Sequence, residues 1–230
     1  MLKTVRTIVR NAFPNLVSYN RFVELMQSVL IPLCAYLYSR KGKSQGIAFI
    51  DSMPIRVGHN RRINRHRTFE EVARRGKNSV DGFYGFKLHL VINDGGDLIA
   101  FFITRGNTDD RQVLEQLTQG LTGKLFGDKG YISKALRENL LERGLELITK
   151  LKRNMKPISI TDFDNALLRK RSIIETVNDQ LKNISQIEHT RHRSLANFMV
   201  NLIAALIAYT WQPKKPSLNL HHHDFCLVSV

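Results

Sequence analysis

The alternation of apolar and polar positions divides this chain into short strands and longer helices. Residues 1–45 place Leu, Val and Phe between Arg and Asn at helical spacing and end in the polar break Ser39-Arg40-Lys41-Gly42-Lys43-Ser44. Gly46 to Asp51 is a short buried-strand pattern that closes on a carboxylate. From Arg56 to Lys77 the pattern fails, and a loop with a helical piece is expected. Phe83 to Asn93 predicts a strong strand, Asp94-Gly95-Gly96-Asp97 a hairpin turn, and Leu98 to Thr104 the returning strand. Asn107-Thr108-Asp109-Asp110 offers capping chemistry for a helix through about Leu121. Lys124 to Asp128 is another strand ending on an acid. A helix over Ser133 to Arg143 is stopped by Gly144, and Leu145 to Leu151 is a strand. One helix is expected from near Leu167 to about Gln186 and another over Leu195 to Trp211.

A strand, a hairpin and then alternating helices and strands predict an α/β fold, an RNase H-like mixed sheet flanked by helices with a helical N-terminal extension. The expected division is a helical region 1–45, a catalytic domain 46–212 and a basic tail 213–230. Two segments, Phe22 to Tyr38 and Leu195 to Trp211, are apolar enough to test against a bilayer span of about 20 residues. Both read better as buried helices, the first because Glu24, Gln27 and Pro32 interrupt it, the second because it carries Asn197 and Asn201. No membrane association is expected.

Charge changes the picture most. Thirty-five Lys and Arg against 20 Asp and Glu give a net charge of +15. Such a surface suits polyanions, because each neutralised phosphate releases a condensed counterion. The two cysteines, Cys34 and Cys226, form no CxxC pair, which argues against a disulfide framework or structural zinc and suits a reducing cytoplasm.

In a basic, nucleic-acid-binding α/β domain, acids at strand ends become informative. Phosphodiester cleavage is served by two divalent cations about 4 Å apart, one at the nucleophile and one at the leaving oxygen. Mg²⁺ prefers carboxylate oxygens and water, so rigid elements must supply acids. Asp51 and Asp128 each close an apolar strand. On Ser172 to Gln186, Ile173, Val177, Leu181 and Ile184 share one side, leaving Glu175, Asn178, Asp179 and Lys182 on the other. Taken singly, each acid reads as a turn former or a solvated helix residue; their order along these elements favours a common site.

Ile50-Asp51-Ser52-Met53-Pro54-Ile55, Lys124-Leu125-Phe126-Gly127-Asp128-Lys129-Gly130-Tyr131 and Ile173 through Lys182 resemble bacterial insertion-sequence transposases of the DDE type, most nearly the insertion sequence 982 family. The resemblance extends through Phe83 to Leu90, Gly106 to Arg111 and Arg191 to Ser194, covering most of residues 14–218. It implies a catalytic and metal-binding triad of Asp51, Asp128 and Glu175. It also implies two Mg²⁺ ions, with Mn²⁺ able to substitute. The implied partners are double-stranded DNA with terminal inverted repeats and target DNA. A homodimer or larger assembly is expected in the synaptic complex, in a bacterial cytoplasm. Family members carry further sequence ahead of the region matching residues 1–45, so the chain reads as shortened there, and His221-His222-His223 has no counterpart.

For DNA contact the candidates are Arg56, Arg61, Arg62, Arg65 and Arg67 in the basic segment after Asp51, Lys129 beside Asp128, and Asn178 and Lys182 beyond Glu175. Gly127 and Gly130 would let DNA approach. Asp109 and Asp110 read as helix-capping acids, and Tyr131 as either a base contact or core. The competing readings are a remnant that only binds DNA and a structure-specific nuclease of the same fold.

Overall fold

The computed structural model describes residues 14–59, 61, 63, 67–77, 81–150, 160–188, 193–218 and 220. Arg62, Arg65, His66 and the histidine tract at 221–223 lie outside them. Among the described residues six strands form one sheet: β1 (Ile47–Gly58), β2 (Arg74–Lys77), β3 (Gly82–Asn93), β4 (Leu98–Arg105), β5 (Gly123–Gly127) and β6 (Leu145–Thr149). β3 lies antiparallel to β1, with β2 and β4 paired in turn along its other edge. β1 continues parallel into β5, and β5 into β6. The order β4-β3-β1-β5-β6, with its antiparallel half leading into a parallel half, is the RNase H-like arrangement.

The helices are α1 (Tyr19–Met26), α2 (Leu30–Ser39), a short α3 (Leu114–Leu117), α4 (Lys134–Glu142), α5 (Asp162–Lys170), α6 (Ser172–Asn183) and α7 (Leu195–Thr210). Strand periodicity sends Phe49, Met53, Leu88, Leu90 and Phe126 to one face, under α5, α6 and α7. Ala48, Ile50, Val91, Leu125 and Leu147 go to the other, under α3 and α4. The first layer is tied by Phe86 stacked on Phe198 at 5.2 Å, with Phe69 edge-on to both. Burying Ile173, Ile174, Val177 and Leu181 of α6 contributes roughly 1.5–3 kcal/mol per side chain before the cost in entropy. That packing fixes the helix against β1.

Several expectations change. β1 does not end at Asp51 but runs on to Gly58, because β3 supplies it with an antiparallel partner throughout. The region from Arg56 to Lys77 contains the end of β1, a 3-10 turn at Arg67–Phe69 and strand β2. After Asp109 the chain forms a 3-10 turn and then only α3, whose Thr118 hydroxyl donates to the Leu114 carbonyl. The single helix expected from Leu167 is two: α5 is capped by Thr161, whose hydroxyl accepts from Asp164 N–H, and the chain breaks at Arg171.

α7 is buried, as its pattern predicts, and its Tyr209 hydroxyl donates to the Gly96 carbonyl at 2.6 Å. The other apolar segment is not. Among the described residues α1 and α2 bury only Leu37, while Tyr19, Ile31 and Tyr38 are 66%, 81% and 74% exposed. Apolar residues ring this helical stretch, and α7 can cover only one side of it. Tyr19–Ser39 is long and apolar enough to cross a membrane by length and composition.

Candidate active site

β1 and β5 pair in parallel as Ile47 with Lys124, Ala48 with Leu125 and Phe49 with Phe126. Continuing that register by two residues sets Asp51 beside Asp128, on neighbouring strand paths about 4.8 Å apart. Both acids point to the face covered by α6, since Phe49 and Phe126, two residues earlier, point there. Asp128 caps the 3-10 turn Lys129–Tyr131 only in sequence position, for its side chain makes no capping bond. Asp51 stands within a strand. Neither acid is therefore a turn former.

α6 brings the third acid. Glu175 lies in its first turn, where the helix dipole favours negative charge. Arg171, at the α5–α6 break, donates from Nη2 to Glu175 Oε1 at 2.7 Å and brings Nη1 to 3.8 Å from Asp51 Oδ1. Nη1 is buried and forms no hydrogen bond among the described residues. Asn178, one turn beyond Glu175, donates Nδ2 to Asp51 Oδ2 at 3.0 Å, while its own Oδ1 is buried with no hydrogen bond among the described residues. Burial raises the Asp51 carboxyl to about pKa 6. Arg171 opposes that rise, and the charges of Asp128 and Glu175 add to it.

Asp51 and Glu175 thus share one guanidinium, and the charge of Asp128 acts on Asp51 beside them. That donor set, hard oxygens with an excess of negative charge, fits a divalent cation. Among the described residues no three acidic, His or Cys side chains yet converge closely enough to hold an ion. Arg171 instead engages Glu175 and approaches Asp51.

The remaining candidates divide. Lys129 is exposed beside Asp128. Asn178 is buried and its amide is bonded to Asp51, so it faces the acids instead of the surface. Lys182 lies 3.8 Å from Glu188. Arg56 is exposed but points, by strand alternation, to the opposite face from Asp51. Arg61 and Arg67 are exposed in the β1–β2 connection. Gly127 is a packing residue: an added Cβ would meet Ile50 and Tyr131 at 3.1 and 3.2 Å. Tyr131 belongs to the core at 1% exposure, which settles its two readings in favour of packing. Asp109 caps its turn and is held near pKa 2 by its hydrogen bond to Arg111. Asp110 instead accepts from Ser52 Oγ at 2.9 Å and Lys87 Nζ at 2.8 Å.

Arg171 is the residue that sequence reasoning missed. Its position four residues before Glu175, one helical turn away, was the available signal.

Residues 41–195 match the model of a family described as the transposase DDE domain. No curated protein matches the chain. Among solved structures, the catalytic domain of the Mos1 mariner transposase is similar at 12% identity and a TM-score of 0.28. That match covers 85% of this chain and 95% of that one. The Mos1 strand transfer complex is similar at 14% identity and the same TM-score, covering 86% of this chain and 62% of that one.

Proposed function

From the premise that this chain belongs to the transposase DDE-domain family and is a DNA transposase, divalent-metal dependent as that family generally is, we propose that Asp51, Asp128 and Glu175 are its catalytic carboxylates. The observation that supports the assignment most is the β1–β5 register, which sets Asp51 beside Asp128 under the helix carrying Glu175. More finely, the motifs around these acids favour the insertion sequence 982 family. The division into a DNA-binding segment 1–45, a catalytic domain 46–212 and a tail 213–230 belongs to the same reading. So does action on DNA in a bacterial cytoplasm.

Asp51, Asp128 and Glu175 would hold two Mg²⁺ ions, for which Mn²⁺ can substitute. When bound, such ions activate the nucleophile and stabilise the leaving oxygen of an in-line displacement. The chain's own part is positioning. Asn178 fixes the Asp51 carboxylate through Oδ2 and so orients Oδ1. Arg171 neutralises the acids it touches, and Lys129 is placed to meet a phosphate on the Asp128 side. The same chemistry used twice, first with water and then with the freed 3′-OH, cuts the element end and joins it to target DNA. Synapsis of two such ends calls for a dimer or larger assembly.

The test is incubation of the purified chain with labelled DNA carrying the repeats that flank its gene, with Mg²⁺ or Mn²⁺. Repeat-dependent nicking followed by joining is expected. Cleavage that ignores the repeats and never joins would instead indicate a structure-specific nuclease. Salt-sensitive binding without any chemistry would indicate a remnant.

A pH dependence follows from the raised Asp51 carboxyl. Below pH 6 Asp51 retains a proton that a cation must displace. Mn²⁺ affinity, measured by calorimetry, should weaken by up to about tenfold per unit as pH falls from about 6 towards 4. A flat profile across that interval would exclude Asp51 as a ligand.

A further inference from the structure

The helical stretch α1–α2 carries two apolar stripes, and the fold uses one. α1 and α2 are joined only by the 3-10 turn Gln27–Val29. Val23, Met26, Leu30, Leu33 and Leu37 recur at alternate spacings of three and four, and all are at least partly buried. Leu30 and Leu33 pack on the core and Leu37 is fully enclosed, with α2 lying against α7. This stripe holds the stretch to the domain.

One position earlier runs a second series, Phe22, Leu25, Val29 and Tyr36, at spacings of three, four and seven, with Pro32 at the skipped position. Each member is between 39% and 41% exposed. That spacing is the signature of a helix that packs on another helix, and here the row is left open over about 20 Å. The chemistry of the seam selects its partner. No charged residue occurs between Leu25 and Ser39, and Arg21 and Glu24 beside it pair with each other at 3.1 Å. Phosphates need cations, so DNA does not fit this face. Any DNA contact by the segment 1–45 therefore falls to the charged residues on either side of the seam. A bilayer span would pull Leu30, Leu33 and Leu37 out of the core that they close. A chain of net charge +15 repels its own copies, and an uncharged face is where two can approach at least electrostatic cost. At the end of the seam exposed Trp211 donates Nε1 to Tyr36 Oη at 3.0 Å, with the Arg40 guanidinium 4.3 Å from the indole ring. Trp, Tyr and Arg are the residues most enriched where binding energy concentrates.

We propose that the Phe22–Tyr36 seam is a self-association surface, on which the same seam of a second copy packs about a two-fold axis near Val29, the middle of the series. A two-fold contact needs only that one patch complement itself. The purpose rests on the transposase reading, since two element ends must be held together; the geometry does not. The competing occupants are residues 1–13 of the same chain, a different protein and a lipid surface.

Sedimentation velocity of the full chain, in EDTA and without DNA, measures the oligomeric state across the micromolar range. A concentration-dependent dimer is expected. Leu25→Asp/Val29→Asp should raise its dissociation constant at least about a hundredfold, because four apolar side chains are lost per dimer. Ile31→Asp, on another face of the helix, should leave it unchanged. A second measurement avoids charged variants that disturb folding. In a Cys34→Ser/Cys226→Ser background, Val29→Cys should cross-link the dimer under mild oxidation, whereas Ile31→Cys, at a more exposed position, should not. A chain that stays monomeric, a dimer indifferent to Leu25→Asp/Val29→Asp, or equal cross-linking at 29 and 31 overturns the proposal. So does a monomer that floats with phosphatidylcholine vesicles, which would assign the face to lipid. A dimer with both signatures, in a chain that never cleaves or joins DNA, supports the seam and counts against the transposase reading alone.

Discussion

Asp51→Asn, Asp128→Asn and Glu175→Gln are each expected to lower repeat-dependent DNA cleavage by roughly three orders of magnitude, the equivalent of about 4 kcal/mol of barrier. All three keep the shape of the side chain and remove its charge, so the folded core should survive. Asp51→Asn has a further signature that activity alone would not give. The Asp51 carboxyl is raised to about 6 by burial, above its ordinary 3.8. A raised folded-state value favours the folded protein below the unfolded pKa, and that contribution is lost as pH rises through the folded pKa. The metal-free wild type should therefore lose about 2–3 kcal/mol of stability between pH 4 and pH 6 at this residue. The Asn variant should not, and above pH 6 without metal it should melt higher than wild type. Cleavage retained within a factor of ten by any one variant would remove that residue from the triad.

The second large effect is expected at Arg171. Its guanidinium is the shared counter-charge of Glu175 and Asp51. Arg171→Ala leaves Asp51 buried without a cation, and Glu175, 55% exposed, free to solvent. A buried pair broken from one side costs several kcal/mol, and the exposure of Glu175 reduces this to about 1–3 kcal/mol. For a chain of this length that is a fall in melting temperature of roughly 3–10 °C. Mn²⁺ should then raise the melting temperature of the variant more than that of the wild type, because the ion no longer competes with the guanidinium. Arg171→Lys keeps a charge but loses the two-armed geometry and should fall between. Equal melting temperatures and equal responses to Mn²⁺ would show that Arg171 does not control access to the acids.

Much of the sheet is legible in the chain because strand and hairpin signals are local. Phe83 to Asn93 alternates, Asp94 to Asp97 turns, and the antiparallel return follows with almost the expected bounds. The β1 extension and β2 were not legible. Residues 52–58 and 74–77 are too polar or too short to read as strands, and pair only because β3 offers unpaired backbone groups on both edges. The split at Arg171 was hidden for a similar reason. Helical periodicity continues across it, and only packing of α5 and α6 decides where the chain bends.

The sequence by itself determined the three acids as candidates, the basic character and the order of elements, since each depends on residue type and short spacing. Tertiary structure alone decided which of them meet. The β1–β5 register juxtaposes acids distant in sequence, Asn178 turns inward to Asp51, and Arg56 faces away. Tertiary structure also left α1 and α2 largely uncovered. The physical reason is that local propensity fixes which backbone groups are satisfied within an element. Register and packing, set by the remaining hydrogen bonds and apolar area, fix which side chains share a space.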